Sequence, residues 1–345
     1  MMEKEKINNK TLTKKDFVSD QAVRWCPGCG DHVILAALQK TLAACNLAPE
    51  NVVFVSGIGC SSRLPYYLNT FGIHSIHGRA PAIASGVKLA NPELSIWVAT
   101  GDGDGLAIGG NHFIHAIRRN INMNIIVFNN NIYALTGGQY SPTTPFSQKT
   151  STTPDGSYER PTSVGELTIG SQGTFFARVA DNEPKQMEEV FKRAYNHQGT
   201  SVVEILQNCV IFTDKIHETI TGKDTKNESQ LRLEHGEPMI FGGQQKYGLK
   251  LNGMKLDTVP LNDDENPADR EDIIRHDAKN PDPNLHYALI RLSLPDMPFA
   301  MGVIRETKDN VYEQDNYDSI RAAQKKSQFN SIFNLIHSGN TWKVQ

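Results

Sequence analysis

Ser95-Ile-Trp-Val-Ala-Thr-Gly-Asp-Gly-Asp-Gly105, a helix-like pattern through Phe113, Ile114 and Ile117, and then Asn124-Ile-Ile-Val-Phe-Asn-Asn-Asn131 form the stretch that decides the fold. Both ends of it begin as short apolar runs of strand length and stop abruptly in glycine or polar residues. Strand, turn, helix, strand is the unit of a parallel sheet, since a parallel pair needs a crossover and a helix is the usual one. Glycines such as Gly101 and Gly103 let the backbone approach a phosphate, amides at the helix start favour an anion, and Asp102 offers magnesium a hard oxygen. The carboxyl ends of strands in an open parallel sheet share one edge, so Asp102 and Asn130 can meet there although 28 positions separate them. Taken alone, Gly-Asp-Gly is also an ordinary turn, and the Asn pair downstream is what weighs against that reading.

Toward the N-terminus, Trp25-Cys-Pro-Gly-Cys-Gly30 opens a helix-like segment from Asp31 to Cys45 with apolar residues at Val33, Ile34, Ala37, Leu38 and Leu42. Three chemistries fit Cys26 and Cys29: a dithiol redox pair, half of a zinc site, or two corners of an iron–sulfur cluster. Cys60 follows the apolar strand Val52 to Val55, and Cys209 follows the strand Ser201 to Leu206. Both sit at carboxyl ends of strands, like Asp102 and Asn130, so they can converge on the cofactor edge. A dithiol pair needs neither, and a zinc finger usually brings its second pair close together, so the weight moves toward the cluster. Cys45, on the apolar helix, reads as core.

Strand, Gly-Asp-Gly, helix, strand, Asn-Asn resembles the diphosphate-binding domain of thiamine diphosphate enzymes. That likeness implies that Asp102, Asn130 and the carbonyl of Ile132 ligate magnesium, and that Gly101, Gly103, Asp104, Ala134 and Leu135 line the cofactor. With Trp25-Cys-Pro-Gly-Cys-Gly-Asp-His32, Gly57-Ile-Gly-Cys60, His77-Gly-Arg-Ala80 and Leu135-Thr-Gly-Gly-Gln-Tyr-Ser-Pro142 added, the chain resembles the β subunit of 2-oxoacid:ferredoxin oxidoreductases. The 2-oxoglutarate type, 2-oxoglutarate synthase, is the nearest, and the likeness runs from about Asp16 to Arg305. It implies a [4Fe-4S] cluster on Cys26, Cys29, Cys60 and Cys209, and cofactor contacts from Ile58, Gly59, Cys60, Ser61 and His77.

The same resemblance implies oxidative decarboxylation of 2-oxoglutarate to succinyl-CoA, with coenzyme A taking the acyl group and ferredoxin the electrons. It also implies an obligate α subunit, because thiamine enzymes use a glutamate on the aminopyrimidine ring and no second sheet domain is legible here to supply it. Arg79 is a candidate for a substrate carboxylate, with a buried salt bridge as its plain alternative. One departure stands at Gly137, where some broad-specificity relatives carry Lys, and its absence shifts the task of meeting an acid group to Arg79 or to the α subunit; pyruvate or broad 2-oxo acid use is the second reading. A non-redox thiamine enzyme with structural zinc is the third. His32, His74, His112, His115 and His197 lack metal-ligand companions at suitable spacing and read as structural.

The expected architecture is α/β, a doubly wound parallel sheet running from Val52 to Leu206 with a helix at Lys185 to Tyr195 and a strand at Phe175 to Val179. Three parts are expected: residues 16–215 for cofactor and cluster, 216–311 as a C-terminal segment on the partner subunit, and 312–345 as a tail with a helix from Ser319 to His337. Gln139 to Gln172, rich in Ser, Thr, Pro and Gly, reads as a surface insertion or as a loop over the site. With 345 residues, 39% of them hydrophobic, the chain can hold one large domain, and no apolar run is long enough to span a membrane. Met1 to Lys15 has no apolar core and is not a secretion signal, and thiols poised for metal fit a reducing cytoplasm. A net charge of −3 gives no reason to expect nucleic acid.

Overall fold

The computed structural model describes residues 11–262, 270–329, 331–340, 342 and 344. Its strands in chain order are β1 Val52–Ser56, β2 Phe71–His74, β3 Ser95–Gly101, β4 Met123–Asn129, β5 Ile132–Tyr133, β6 Gln139–Tyr140, β7 Phe175–Ala180 and β8 Thr200–Leu206. Then follow β9 Gln230–Leu233, β10 Ile240–Phe241, β11 Tyr247–Asn252, β12 Lys255–Pro260 and β13 Phe299–Glu306. Eight of them form the main sheet in the order β2-β1-β3-β4-β8-β7-β13-β9. Every neighbouring pair in it is parallel except β13 against β7. The expected parallel sheet is therefore present, and β9 and β13, both from the stretch 216–311, lengthen it at one end.

Alternation along the strands builds two cores. Val53, Val55, Ile96, Val98, Ile125 and Val127 face α2 (Ala80–Ala90) and α4 (Gly110–Arg118), where Ala84, Phe113 and Ile117 are buried. Phe54, Trp97, Ile126, Phe128 and Ile205 face the opposite way, onto α1 (Asp31–Ala44) and α5 (Pro184–Asn196). Consecutive strand residues point to opposite sides, so a run apolar at every position has to be covered twice. At about 25 cal/mol per Å² of apolar area removed from water, fully burying one Phe or Ile contributes about 2–3 kcal/mol, and the two layers together dominate the stability of the sheet.

The sheet fixes where a ligand can bind. The chain goes from β1 outward to β2 and returns on the other side of β1 as β3, so the order reverses between β1 and β3. Loops leaving those two strands diverge and open a crevice at their carboxyl ends. Short helix α3 (Asp102–Leu106) starts directly at the end of β3.

The tail differs from the expected helix. It is helical at Tyr312–Lys326 and again at Ile332–Ile336, with Ser327 extended between. Long-range anchors start it early: Glu313 accepts the Asn122 amide at 3.2 Å, and the Tyr317 hydroxyl donates to the Leu89 carbonyl at 2.7 Å. Among the described residues no helix is long and apolar enough to cross a membrane.

Candidate active site

The crevice is a cleft of about 40 Å³ walled by Ile58, Gly59, Cys60 and Ser61 after β1, Gly101 to Asp104 after β3, and Asn130 and Ile132 to Thr136 after β4. Gly59 has φ +93° and nothing within 4 Å of where a Cβ would stand, so this turn leaves open space facing the cleft. Gly103 has the opposite need, because a Cβ there would run into the ring of Tyr133, whose hydroxyl donates to the Gly103 carbonyl at 2.7 Å.

Asp102 is buried, and its Oδ2 accepts from Ser141 Oγ and from Thr143 Oγ1, each at 2.5 Å. Thr143 Oγ1 also lies 2.9 Å from Asn129 Oδ1, and with one hydroxyl proton it serves one of the two at a time. Asn129 Nδ2 donates to Glu204, which in turn pairs with buried Arg178 at 2.7 Å. A polar chain thus runs from β7 through β8 and the end of β4 to the Asp102 carboxylate. Burial pushes the Asp102 carboxyl up to about 6, opposed by the Ser141 and Thr143 hydroxyls. Asn130 Oδ1 accepts the Ile132 amide at 3.2 Å, which fixes the turn presenting the Asn130 amide and the Ile132 backbone to the cleft. The first residues of the Gln139–Gln172 stretch are therefore a buried buttress beneath Asp102 rather than a surface insertion.

The four cysteines come together. Cys26, Cys29, Cys60 and Cys209 wall one cavity of about 200 Å³ with Arg24, Trp25, Asp31, Arg63 and Gln207. Each loop is tied down. Trp25 Nε1 donates to the Cys60 carbonyl at 2.7 Å, the Thr213 amide to the Cys209 carbonyl at 3.1 Å, and Gln207 Nε2 to Cys29 Sγ at 3.3 Å. Burial, then the nearby Asp31 carboxylate, push the Cys60 thiol up to about 11 and the Cys29 thiol higher still. Thiols so placed are poor anions alone, and a bound metal would be needed to hold them as thiolates. Cys45 lies outside the cavity, half-buried at the end of α1.

Cleft and cavity share Asp31, Cys60, Asn130, Ala134 and Leu135 as common walls. Thr213 strengthens the link, since its hydroxyl donates to the Asn130 carbonyl at 2.8 Å while its amide caps Cys209. Among the described residues no three His, Cys, Asp or Glu side chains are gathered to hold a single ion.

His77 and Arg79 are absent from the lining of the cleft. His77 Nδ1 and the Gly78 amide both lie 2.7 Å from Asp104 Oδ1, and Thr100 Oγ1 donates to Asp104 Oδ2 at 2.7 Å. Arg79 Nη1 donates back to the His77 carbonyl at 2.9 Å. Asp104, although it reaches the cleft, is thus the anchor of the 77–79 turn. Sequence reasoning missed Asp31, Phe128, Tyr133 and Thr136 in the cleft, Gln207 in the cavity, and Ser141 and Thr143 beneath Asp102. Asp31 is the first residue of α1, buried, with Oδ1 lacking any partner. Burial and repulsion from Asp181 push its carboxyl up to about 7. Its place inside Cys-Pro-Gly-Cys-Gly-Asp was the available signal.

A parallel sheet and a glycine turn, with Asp102 and Asn130 on one cleft, point to a class, that of the thiamine enzymes. Residues 57–205 match the family model described as thiamine pyrophosphate enzyme, C-terminal TPP binding domain. At 45% identity over 333 residues, covering 96% of this chain and 88% of the relative, the chain is similar to the 2-oxoglutarate oxidoreductase subunit KorB of Mycobacterium tuberculosis. It is 46% identical over 190 residues to the β subunit of 2-oxoacid:ferredoxin oxidoreductase 1 of Aeropyrum pernix, covering 55% of this chain and 60% of that one. Among solved structures, a 2-oxoglutarate:ferredoxin oxidoreductase from Magnetococcus marinus, with 2-oxoglutarate, coenzyme A and succinyl-CoA bound, superposes with a TM-score of 0.76 at 28% identity over 98% of each chain. The chain belongs to the β subunits of the 2-oxoacid:ferredoxin oxidoreductase family, in the branch of the 2-oxoglutarate enzymes.

Proposed function

We propose that this chain is the cofactor-bearing half of an enzyme that oxidatively decarboxylates 2-oxoglutarate to succinyl-CoA and CO2 and passes the electrons to ferredoxin. The observation that carries the reading is the shared wall between the Asp102/Asn130 cleft and the four-cysteine cavity. Names of relatives support the substrate and the carrier.

The residues suit the groups that the family implies. Asp102, Asn130 and the Ile132 carbonyl are hard oxygen donors grouped at one sheet edge, which suits magnesium, and the Gly59 turn leaves room beside them. Four soft donors wall a 200 Å³ cavity, room for a multi-atom iron–sulfur group. Thiamine diphosphate, when bound, supplies an electron sink for loss of carbon dioxide from a 2-oxo acid, and a [4Fe-4S] cluster supplies one-electron acceptance.

The chain's own contribution is placement. Asp102 would hold the metal against the diphosphate, with Ser141 and Thr143 keeping its carboxylate from rotating. Amides of the Gly101–Gly103 turn would face the phosphates, and Ile58, Ser61, Ala134 and Leu135 would shield the reacting end from water. Cys60 would stand between the two groups, since it lines both spaces. Residues 16–215 carry all of these atoms, whereas 216–311 would face the partner subunit while adding β9 and β13 to the sheet.

No glutamate is among the residues lining the cleft. Expressed alone, the chain is therefore expected to turn over no 2-oxo acid, with activity restored on adding the α subunit. A rate from the single chain equal to that of the complex would refute the divided site. The assembled complex is expected to favour 2-oxoglutarate over pyruvate in kcat/KM by on the order of a hundredfold, since a site built for a distal carboxylate leaves a cation unpaired with pyruvate. Arg79 donates to the His77 carbonyl and is not among the residues lining the cleft, so that cation would come from the α subunit, and equal use of pyruvate would move the protein to another branch of the family.

A further inference from the structure

We propose that electrons leave this subunit at the rim formed by Arg24, Cys26 and Arg63, and that a small soluble redox protein with an acidic face docks there. The inference rests on the reading that the four cysteines hold an iron–sulfur cluster. It adds where the carrier binds and by what chemistry.

The four thiols differ in access. Cys209 is buried, Cys29 and Cys60 are half-buried, and Cys26 is exposed together with Pro27 and Gly28. The cavity thus reaches solvent on the Cys26 side, and an acceptor can come nearest to the cluster there. Two guanidiniums line the same cavity, Arg24 and Arg63. Arg178, Arg193, Arg232 and Arg291 each meet a carboxylate, and the arginines that meet none elsewhere, such as Arg118 and Arg160, lie outside this cavity. Among the described residues, Arg24 and Arg63 have no carboxylate partner for their side chains. Asp31, the acid in that lining, is buried.

Unpaired arginines beside exposed apolar side chains are the composition of a protein-docking surface. Val23, Ile211 and Phe212 supply the apolar part, 37%, 60% and 43% exposed, and Ile211 and Phe212 line the cavity itself. Charge then selects the partner. A planar guanidinium takes a carboxylate through two parallel hydrogen bonds, whereas covering it with a neutral face would strip its water without return. Such pairs mainly steer encounter and fix orientation, which suits a carrier that must bind, accept one electron and leave. Oxidation of one 2-oxo acid releases two electrons, so two one-electron carriers would be reduced here in succession.

The test uses the complex reconstituted with its α subunit, comparing the parent with R24E/R63E, the milder R24Q/R63Q and the charge-conserving R24K/R63K. Three quantities are read: iron content with the visible spectrum, bleaching of that spectrum by 2-oxoglutarate and coenzyme A without carrier, and kcat/KM for ferredoxin against ionic strength. Expected for R24E/R63E is retention of iron, a fall in kcat/KM for ferredoxin on the order of tenfold or more at low salt beyond any change in the bleaching rate of the same variant, and a flatter salt dependence. R24Q/R63Q is expected to fall in between, and R24K/R63K to stay near the parent. Ferredoxin kinetics unchanged in R24E/R63E and R24Q/R63Q overturn the proposal. Failure of both variants to assemble with the α subunit also overturns it, since the rim would then be a subunit interface. Absence of iron from the parent complex would instead sink the cluster reading itself.

Discussion

Cys209→Ala is expected to abolish the visible iron–sulfur absorption of the anaerobically purified protein and, with it, carrier-linked turnover, while Cys45→Ala leaves both intact. Cys209 is buried at the mouth of β8 and held by the Thr213 amide, so no neighbouring sulfur can replace it. Cys45 lies at the far end of α1 from Cys26 and Cys29 and has no part in the cavity. Losing one of four thiolates removes a ligand and opens the cavity to water, and clusters with an incomplete thiolate set are labile. Full iron occupancy in the Cys209 variant would defeat the assignment of the cavity. Zinc in place of iron in the parent would favour the non-redox reading.

The second large effect belongs to Asp102. Asp102→Ala is expected to weaken thiamine diphosphate binding by on the order of a hundredfold, about 3 kcal/mol at 1.4 kcal/mol per tenfold, and to remove its dependence on magnesium. Calorimetric titration with and without magnesium measures both. Asp102→Asn separates charge from shape, because it keeps the volume and still accepts from Ser141 and Thr143. An acid whose folded pKa is raised, here from 3.8 to about 6, binds its proton more tightly in the folded chain. Its contribution to stability therefore turns unfavourable as pH rises through that window, and at neutral pH the cofactor-free Asn variant should melt no lower than the parent. Unchanged cofactor affinity in both variants would leave Gly101-Asp-Gly103 as an ordinary turn.

How far the sequence could be read depended on the range of the interactions involved. β1, β3, β4, β7 and β8 were legible because a strand buried on both faces must be apolar at nearly every position, and the observed ends lie within a residue or two of the expected ones. Asp102, Asn130, Cys60 and Cys209 were legible because each follows a strand, and strands of a parallel sheet deliver their ends to one edge, whereas Cys26 and Cys29, just ahead of α1, were legible only from their Cys-x-x-Cys spacing. Ser141 and Thr143 were not, since a Ser/Thr-rich stretch gives the same local signal whether it lies in solvent or is folded under a carboxylate.

By itself, then, the sequence determined the class of fold and the delivery of Asp102, Asn130, Cys60 and Cys209 to one sheet edge, consequences of local periodicity and of strand direction. Tertiary structure alone decided that β9 and β13 return to lengthen the sheet, that Asp104 is spent on fixing His77 and Gly78, and that Arg79 turns back to its own loop. It alone made Cys60 and Asn130 common walls of cleft and cavity. These outcomes depend on contacts between residues tens to hundreds of positions apart, whose energies no local window contains. Such contacts form only when the hydrophobic layers on both faces have fixed the strand order and brought the loops to their final separation.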